Sequence, residues 1–570
     1  MSAENSSGEA TISGAEAVVH LLEAHGVDTM FGLCGDTTLP LYDALQRLPH
    51  GIDHILTRDE RSAAYMADAY ARVTGKVGVC EGPSGGGATY ILPGVIEAND
   101  SSIPVLAINS DVSVNSRGRY PLTELDQEGL FRPLTKWNGV VAKSEMLPGM
   151  LRAAFRAMSS GRPGAAHLGL PFDVQKGDVP MNDIWAQAEL GRFPAWPAGP
   201  DETAVDAFVE TLLAAKNPLL ICGGGVVIAG GEGELDILAS RLDLPAATTV
   251  SDQGSLGDSH PNCLGVVGSN GGTAQTRALV DAADLICFIG CRAGSVTTER
   301  WRSPRPGAVK ILHIDSDPMV ISAAYATDAA LVADARLALR AINARLDRAG
   351  ELPSFGAAAR IAPAKAAKFA AFEALAEGSG SPIEPELVVR EMNRLLPDDA
   401  LLVADPGTPC PYFSGYYRCP LPGRYFISNR AHGALGYSLS AAVGAQIGRP
   451  DSKVVSVMGD GSFGFTCGEL ETVVRLGLPI TFVVFSNSSF GWIKAGQKSG
   501  FGGRYFGVDF SPGDHAAVAA AFGVKSWRVE QPGELGAALQ QAIAHPGPTL
   551  IDVISRPLQD AHAPVSEWVA

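Results

Sequence analysis

Two oxygen-bearing side chains follow two apolar runs in the C-terminal third of the sequence. The first run begins at Val454 and leads into Gly459-Asp460-Gly461, and the second, Ile480 to Phe485, leads into Ser486-Asn487. The intervening segment predicts a helix, so the runs are expected to be parallel strands joined by one crossover. The C-terminal ends of such strands lie side by side, where ligands bind. We therefore expect Asp460 and Asn487 to lie close together.

The types of these residues indicate a metal and a phosphate. A carboxylate and an amide oxygen suit Mg²⁺, which takes oxygen ligands and usually shares them with a phosphate. Gly461 allows close approach to the backbone, and the helix after it offers free N–H groups to an anion. The segment predicts a clamp for Mg²⁺ and a diphosphate, with an ordinary strand–helix–strand unit and a glycine-rich turn as the alternative.

The elements that position this clamp belong to the last of three α/β blocks. Strands alternate with helices in each block, which predicts an α/β protein with three doubly wound parallel-sheet domains. A Pro/Gly-rich linker, Phe193–Ala204, follows the first block, and a polar, Ala-rich connector, Arg348–Ser381, precedes the third. The predicted domains are residues 11–180, 200–346 and 380–560.

Composition narrows the class of protein. The 570 residues are 46% hydrophobic and 18% charged, with no apolar run long enough for a membrane span. The N-terminus lacks the basic and apolar regions of a secretory signal, so a cytoplasmic protein is expected. The nine cysteines are scattered and predict free, buried thiols. A net charge of −17 argues against nucleic acid and anionic membranes as partners.

Three further segments in the first block carry a resemblance to a known family. FGLCGDTTLPLYDAL (Phe31–Leu45), TRDERSAAYMADAYARVTGK (Thr57–Lys76) and GPSGGGAT (Gly82–Thr89) precede the GDG…N pattern of Asp460 and Asn487. Together they resemble the thiamine-diphosphate-dependent superfamily of acetolactate synthase, pyruvate oxidase and the 2-oxo acid decarboxylases. The resemblance covers nearly the whole chain and implies pyrimidine-binding, central and diphosphate-binding domains, with thiamine diphosphate and Mg²⁺ as cofactors.

The resemblance assigns the catalytic carboxyl group to Glu60. In the family, a glutamate at this place acts at the ring nitrogen of the cofactor's aminopyrimidine and favours its imino tautomer. The cofactor then performs the difficult chemistry. Without the flanking motif, Glu60 would be an ordinary acidic residue at a helix start, where the helix dipole favours it.

The resemblance also assigns the groups that hold the other end of the cofactor. Asp460, Asn487 and the carbonyl of Ser489 would bind Mg²⁺. Ser462 and the N–H of Phe490 would hold diphosphate oxygens.

Three residues of the third block complete the expected cofactor site. Gly407 and Thr408, at the end of LLVADPG, match the loop beside the diphosphate. Leu435 matches the bulky apolar residue that holds thiamine diphosphate in its bent shape, although a leucine is otherwise an ordinary core residue. His432 is the histidine nearest to this expected site. It could relay protons there, and the alternative is a purely structural role.

The implied reaction is decarboxylation of a 2-oxo acid, followed by carboligation of the enamine to an aldehyde or ketone acceptor, as in acetolactate synthase. A decarboxylase without ligation and a pyruvate oxidase-like flavoenzyme are the alternatives within the superfamily. The alternatives outside it are a nucleotide-dependent enzyme and an inactive binding homologue. Because Glu60 and the clamp lie in different domains, the resemblance implies a homodimer or homotetramer whose subunits share each site.

The sequence departs from the family at positions that would contact substrate. Leu122-Thr123 stands before Glu124 where acetolactate synthases have Phe-Gln, and Gly496 stands where they have a lid tryptophan. The usual Ser-Gly-Pro-Gly is here Ser84-Gly85-Gly86-Gly87. Because of these departures, the sequence does not identify the donor and acceptor substrates.

The sequence of the central block does not decide whether a flavin is bound. Gly268–Gly272, Gly290–Arg292 and His313–Asp317 resemble positions that hold FAD in acetolactate synthase and pyruvate oxidase. The same positions recur in family members without flavin. The GGG at 223–225 resembles a phosphate loop but lacks the full dinucleotide spacing.

Overall fold

A computed structural model describes residues 10–568 of the chain. The chain divides into two compact units, the first ending at Trp196 and the second beginning at Pro197. Over the described residues there are three six-stranded sheets, each parallel throughout, and one two-stranded antiparallel ribbon. The predicted α/β fold with three parallel sheets is confirmed.

The first unit contains one of the six-stranded sheets and the ribbon. The sheet has the order β3-β2-β4-β5-β7-β6, and β1 pairs with β8. The strands are β1 (Thr11–Ser13), β2 (Thr29–Gly32), β3 (Asp53–Leu56), β4 (Gly78–Gly82), β5 (Val105–Asp111), β6 (Trp137–Val140), β7 (Ala166–Pro171) and β8 (Asp178–Pro180). The helices are α1 (Gly14–Ala24), α2 (Leu39–Arg47), α3 (Glu60–Thr74), α4 (Gly86–Tyr90), α5 (Leu92–Asp100), α6 (Gln127–Phe131) and α7 (Leu147–Ser159).

The second unit begins with a sheet of order β11-β10-β9-β12-β13-β14. Its strands are β9 (Pro218–Cys222), β10 (Ala246–Thr248), β11 (Cys263–Val266), β12 (Leu285–Ile289), β13 (Lys310–Asp315) and β14 (Ala329–Val332). The helices are α8 (Glu202–Leu213), α9 (Gly224–Ala229), α10 (Glu232–Leu242), α11 (Ala274–Asp281), α12 (Ala335–Leu346) and α13 (Ala357–Ala376). The connector expected over residues 348–381 is thus largely helix α13.

The last sheet of the second unit has the order β16-β15-β17-β18-β20-β19. Its strands are β15 (Leu401–Ala404), β16 (Phe426–Ser428), β17 (Val454–Gly459), β18 (Thr481–Ser486), β19 (Lys525–Val529) and β20 (Thr549–Ile554). The helices are α14 (Pro385–Leu395), α15 (Pro409–Tyr416), α16 (Tyr437–Gly448), α17 (Asp460–Thr466), α18 (Leu470–Arg475), α19 (Gly491–Gly500), α20 (His515–Ala521) and α21 (Pro532–Ala544).

All three sheets reverse their winding direction between two neighbouring central strands. In the last sheet the reversal lies between β15 and β17, because the chain leaves β15 for β16 on one side and later continues from β17 to β18 on the other. Ligands of open α/β sheets bind beyond the strand ends at such a reversal. The loops after β15 and β17 therefore occupy the ligand position that the fold provides.

Candidate active site

The predicted clamp forms at the C-terminal edge of the last sheet. Strands β17 and β18 are buried over their whole length, and Gly459 of β17 is in register with Phe485 of β18. Asp460 is the first residue of α17, and Asn487 follows the last residue of β18. The single crossover thus brings the carboxylate and the amide to neighbouring strand ends, as the sequence predicts.

Backbone N–H groups surround the carboxylate of Asp460. Its Oδ2 accepts hydrogen bonds from the N–H groups of Asn487 (2.8 Å) and Ser488 (2.6 Å), and its Oδ1 accepts one from Gly461 (2.8 Å). Ser488 has a φ of 55°, so a non-glycine residue occupies the left-handed region beside the site. Burial raises the pKa of Asp460, and the three N–H groups oppose that shift. A carboxylate offers about four lone pairs, so about one remains for a metal.

The amide of Asn487 joins the clamp to the loop after β15. Its Oδ1 accepts from the backbone N–H (3.2 Å) and the hydroxyl (3.1 Å) of Ser489. Its Nδ2 donates to Oγ1 of Thr408 (3.5 Å). Oxygen donors from three loops, those that contain Thr408, Asp460 and Asn487, therefore meet at the point where the sheet reverses. This donor set has the chemistry of a magnesium site.

Gly461 is needed for the close packing of an aromatic ring. A Cβ at Gly461 would lie 2.8 Å from Cε1 of Phe490 and 3.5 Å from Cζ of Phe510. The two rings contact each other edge to face, with centroids 5.3 Å apart. The N–H of Phe490 donates to the carbonyl of Val508 (2.8 Å). This N–H, expected to hold a diphosphate oxygen, is therefore engaged within the protein.

Ser462 and Leu435 lie where the β15 loop meets α16. The hydroxyl of Ser462 accepts from the N–H of Gly436 (2.7 Å). Asp405 accepts from the N–H (3.1 Å) and the hydroxyl (3.0 Å) of Ser438, and burial raises the pKa of Asp405 to about 6. Leu435 is only half-buried, with its Cδ2 3.9 Å from the Cβ position of Gly407. A half-exposed leucine is available to contact a ligand, whereas a core leucine is not.

A second group of polar residues supports the clamp from β18 and β20. The hydroxyl of Ser486 contacts Nδ1 of His515 (2.9 Å) and hydrogen-bonds to the buried carboxylate of Asp552. Asp552 also accepts from the N–H of His515 (3.1 Å) and from Arg528 (3.0 Å). Burial opposes ionisation of Asp552, but the bonds from His515 and Ser486 outweigh it and lower its pKa. These hydrogen bonds anchor the end of strand β18, whose last residue directly precedes Asn487.

Glu60 lies in the first unit, at the first position of α3. The helix begins because the side chain of Asp59 accepts from the N–H of Arg61, and it ends at Gly75 with φ at 70°. Glu60 is 6% exposed, and its side chain lies against two glycines. A Cβ at Gly82 would be 3.1 Å from its Cγ, and one at Gly87 would be 3.1 Å from its Oε1.

The environment of Glu60 favours its protonated form. Burial raises the pKa of Glu60, and the nearby carboxylates of Asp59 and Glu81 raise it further against an opposing backbone hydrogen bond. A carboxyl group can donate a hydrogen bond to a ring nitrogen only in its protonated form. The upward direction of the pKa shift is the direction that the role expected for Glu60 requires.

Glu81 was missed by the sequence reasoning. It is fully buried in β4, and its Oε1 accepts from the hydroxyl of Tyr42 (2.5 Å) and lies 3.2 Å from Nε2 of His54. Burial raises the pKa of Glu81, while the contacts with His54 and Tyr42 oppose the shift. A glutamate within the apolar run of β4 was the signal that could have revealed it, because a lone acid seldom occupies a buried strand.

The glycines of the central sheet pack against protein backbone. The N–H of Gly223 donates to Ile289 (2.9 Å), and that of Gly225 donates to Gly290 (3.0 Å). A Cβ at Gly225 would lie 2.5 Å from Cα of Gly290, and one at Gly268 would lie 2.2 Å from a backbone oxygen. The loop that resembles a phosphate loop therefore closes on its neighbouring strand, which weighs against a nucleotide-dependent enzyme.

The fold and the site define the class of the protein. Models of the thiamine pyrophosphate enzyme family match residues 12–130 (N-terminal TPP binding domain), 205–342 (central domain) and 405–553 (C-terminal TPP binding domain). The chain belongs to this family, and it is a thiamine-diphosphate-dependent enzyme.

The curated proteins to which the chain is similar include acetolactate synthase large subunits. The chain is 33% identical over 556 residues to a probable acetolactate synthase large subunit of Methanococcus aeolicus, an alignment that covers 95% of the chain and 92% of the relative. It is 34% identical over 548 residues to the acetolactate synthase large subunit of Parasynechococcus marenigrum, over 95% and 87% of the two chains. It is 31% identical over 539 residues to acetolactate synthase isozyme 3 large subunit of Escherichia coli, over 93% and 92%.

Two further findings concern the described residues as a whole. No helix between residues 10 and 568 combines the length and the apolar character that a membrane crossing requires. In the same range, no three His, Cys, Asp or Glu side chains gather as metal ligands. The clamp is not such a group, because only one of its expected ligands is a carboxylate and the other two are an amide and a backbone carbonyl.

Proposed function

We propose that the protein decarboxylates a 2-oxo acid and joins the remaining fragment to an aldehyde or ketone, as an acetolactate synthase does. The observation that carries the proposal is the meeting of Asp460 and Asn487 at neighbouring strand ends, in a chain whose relatives over nearly their full lengths are acetolactate synthase large subunits. Thiamine diphosphate, when bound, supplies the nucleophilic carbon that adds to the keto group and takes up the electrons left by CO₂.

The chain's own residues bind and orient the reactants. Glu60 holds a proton on its buried carboxyl group and donates it toward the aminopyrimidine ring nitrogen. The raised pKa of Glu60 suits this task, because an ionised carboxylate has no proton to donate. The half-buried side chain of Leu435 lies beside Gly407 and would support the cofactor between its two ends.

We propose Mg²⁺ as the metal of the clamp. Asp460 and the carbonyl of Ser489 would bind it together with Oδ1 of Asn487. The remaining lone pair of Asp460 and the local hydrogen bonds of Asn487 support this assignment. Thr408 and Ser462 lie beside the same strand ends and would contact diphosphate oxygens. The N–H of Phe490 could join them only if it released the carbonyl of Val508.

We propose that the central domain works without FAD. At positions that resemble the family's FAD site, the N–H of Gly271 donates to the carbonyl of Pro564 (2.8 Å) and the N–H of Gly290 donates to the carbonyl of Ile314 (2.8 Å), so these amides are already bonded within the protein. A pyruvate oxidase-like flavoenzyme is the competing reading. The visible spectrum of the purified protein tests the choice, since a flavin band and FAD released on denaturation would refute the flavin-free proposal.

We propose that each site is shared between subunits of a homodimer or homotetramer. Each unit exposes large apolar side chains: Tyr120 (96%) and Leu122 (85%) in the first and Phe506 (88%) in the second. Exposed apolar residues of this size are typical of protein interfaces. We further propose three domains over residues 11–180, 200–346 and 380–560, and a cytoplasmic location. Equilibrium sedimentation that gives a monomer at catalytic concentrations would contradict the shared site.

We propose that the residues that depart from the family's motifs contact the substrate. Thr123 donates to or accepts from the hydroxyl of Ser84 (2.7 Å), which in turn contacts Thr37 (3.1 Å). The Cβ position of Gly496 lies 3.8 Å from Cβ of Trp568, so an aromatic side chain approaches α19 from elsewhere in the chain. We propose that these hydroxyls and Trp568 replace the Phe-Gln pair and the lid tryptophan.

A screen of 2-oxo acids tests the function. Wild-type protein with thiamine diphosphate and Mg²⁺ should release CO₂ and, with an aldehyde or ketone present, form a carboligation product. Glu60→Gln should lose most of both activities while retaining its fold. Glu128→Gln, a change at an exposed carboxylate of the same unit, is the matched control. Aldehyde release without ligation would favour a simple decarboxylase, and near wild-type turnover by Glu60→Gln would refute the catalytic assignment.

A further inference from the structure

A small polar cavity lies in the second unit, away from the clamp. It has a volume of about 20 Å³, and the last turn of α15, the connector helix α13 and strands β10 and β11 surround it. Its lining is largely polar and includes Thr248, Gln253, Cys263, Ser414 and Lys368. A cavity of this size holds one water-sized group or a monatomic ion.

The ammonium group of Lys368 faces this cavity without a hydrogen-bond partner. Lys368 is 6% exposed, and no atom of residues 10–568 accepts a hydrogen bond from its Nζ. Two ring faces lie near Nζ, with centroids 5.3 Å away at Phe369 and 6.0 Å away at Tyr416, and the carboxylate of Asp258 acts on the charge of Lys368 from a longer range. Gly265 lies next to the group, since a Cβ there would be in van der Waals contact with Nζ at 3.6 Å.

A second donor lies at the same cavity. Gln253 is buried, and its Nε2 has no hydrogen-bond partner among the described residues. Two unsatisfied donors at one polar cavity are costly, because a buried polar group without a partner loses its hydration without replacement. An acceptor in the cavity would satisfy both.

The charges around the cavity favour an anion. Asp258 is the acid of the cavity lining, but its carboxylate is paired with Lys365 (2.8 Å), which also donates to the Asp258 carbonyl (2.7 Å). Arg418 adds a positive charge above the ring of Phe369. Cys263 remains a neutral thiol because burial raises its pKa to about 11. Burial lowers the pKa of Lys368 to about 8, which still leaves it charged at neutral pH.

We propose that this cavity binds one small monovalent anion of the size of chloride, held by the Lys368 ammonium and the Gln253 amide. The anion neutralises a buried ammonium group that has no hydrogen bond or ion pair within residues 10–568, so its binding stabilises the folded protein. It joins the central sheet and α13 to the end of α15. The N-terminal end of α15 follows Gly407 and Thr408, so the anion helps to hold the helix that carries the expected diphosphate loop.

Bromide provides a direct test on the full-length protein. Crystals soaked in sodium bromide should show an anomalous peak in the cavity beside Nζ of Lys368. In solution, exchanging sodium gluconate for sodium bromide at constant ionic strength should raise the Tm by about 2 °C, the shift expected for a large protein at about a hundred times the Kd. Lys368→Met should abolish this rise. Lys216→Met removes an exposed lysine of the same unit, away from the cavity lining, and should retain it.

Each result decides the proposal. An anomalous peak together with a Tm rise that depends on Lys368 supports the anion site. Density without an anomalous signal would identify a water molecule and overturn it. A Tm rise that persists in Lys368→Met would place the ion elsewhere and overturn it as well. The crystal experiment uses wild-type protein, so it remains decisive if Lys368→Met fails to fold.

Discussion

Replacing Gly461 by alanine tests whether ring packing sets the position of the clamp. The added Cβ would lie 2.8 Å from Cε1 and 3.1 Å from Cδ1 of Phe490, closer than carbon atoms normally approach. The ring cannot move freely, because Phe510 packs against it. The matched control is Gly464→Ala, since Gly464 lies in the same helix and a Cβ there meets no atom within 4 Å.

The expected magnitude follows from comparing the two variants. Both replace glycine by alanine in α17, so their gains in helix propensity roughly cancel. The difference isolates the clash, and overpacking of this kind costs about 1–3 kcal/mol. Urea unfolding of the cofactor-free protein should therefore give Gly461→Ala a free energy of unfolding about 1–3 kcal/mol below that of Gly464→Ala.

The clash should also weaken the binding of the cofactor. A displaced Phe490 ring moves the neighbouring carbonyl of Ser489, an expected metal ligand, so the Kd for thiamine diphosphate with Mg²⁺ should rise about tenfold, which corresponds to about 1.4 kcal/mol. Calorimetry measures this directly. Phe490→Leu in the Gly461→Ala background should recover part of the lost stability. Equal unfolding free energies for the two alanine variants, or no recovery with Phe490→Leu, would refute the packing argument.

The remaining predictions concern pH and metal. Burial raises the pKa of Glu386 to about 7 from 4.5; the folded state therefore holds this proton more tightly, and stability falls as pH rises from about 4.5 to 7. Glu386→Gln should remove that fall. In urea unfolding, its free energy of unfolding should exceed that of the wild type by up to about 3 kcal/mol at pH 8 and by almost nothing at pH 4. A gain that does not depend on pH would contradict this prediction. Glu81→Gln should lower the pKa of Glu60, because the Glu81 charge raises it, so the limb of the pH–kcat/KM profile that belongs to Glu60 should move to lower pH. A chelator should abolish thiamine diphosphate binding in calorimetry, and unchanged binding would remove Asp460 from the metal site.

The sequence predicted the strands that form the clamp almost to the residue. The run from Val454 to Gly459 is strand β17, and the second run is shifted by one residue, from Ile480–Phe485 to Thr481–Ser486. Continuous β-branched runs bounded by glycine and polar residues carry this information locally. Because of this shift, Ser486 lies inside the strand, where it contacts Asp552.

Other features depended on segments far apart in the chain. The connector expected from its composition is a 20-residue helix, α13, and it brings Lys368 to a cavity lined by the central sheet. The ring of Phe490 closely approaches the backbone of Gly461. Neither contact has a local signal, because each requires two loops to be brought together by the order of the strands.

The sequence by itself determined which residue types follow which strands: Asp460 and Asn487 could be singled out because strand ends are encoded locally. Glu60 was singled out by the family resemblance of the motif around it. Only the tertiary structure decided how these groups are held. It surrounded Asp460 with three N–H groups, placed Glu60 between two glycines and near Glu81, and engaged the amide of Phe490. The physical reason is that burial, hydrogen-bond partners and protonation depend on neighbours from distant segments, and these neighbours are defined only when the sheets are formed.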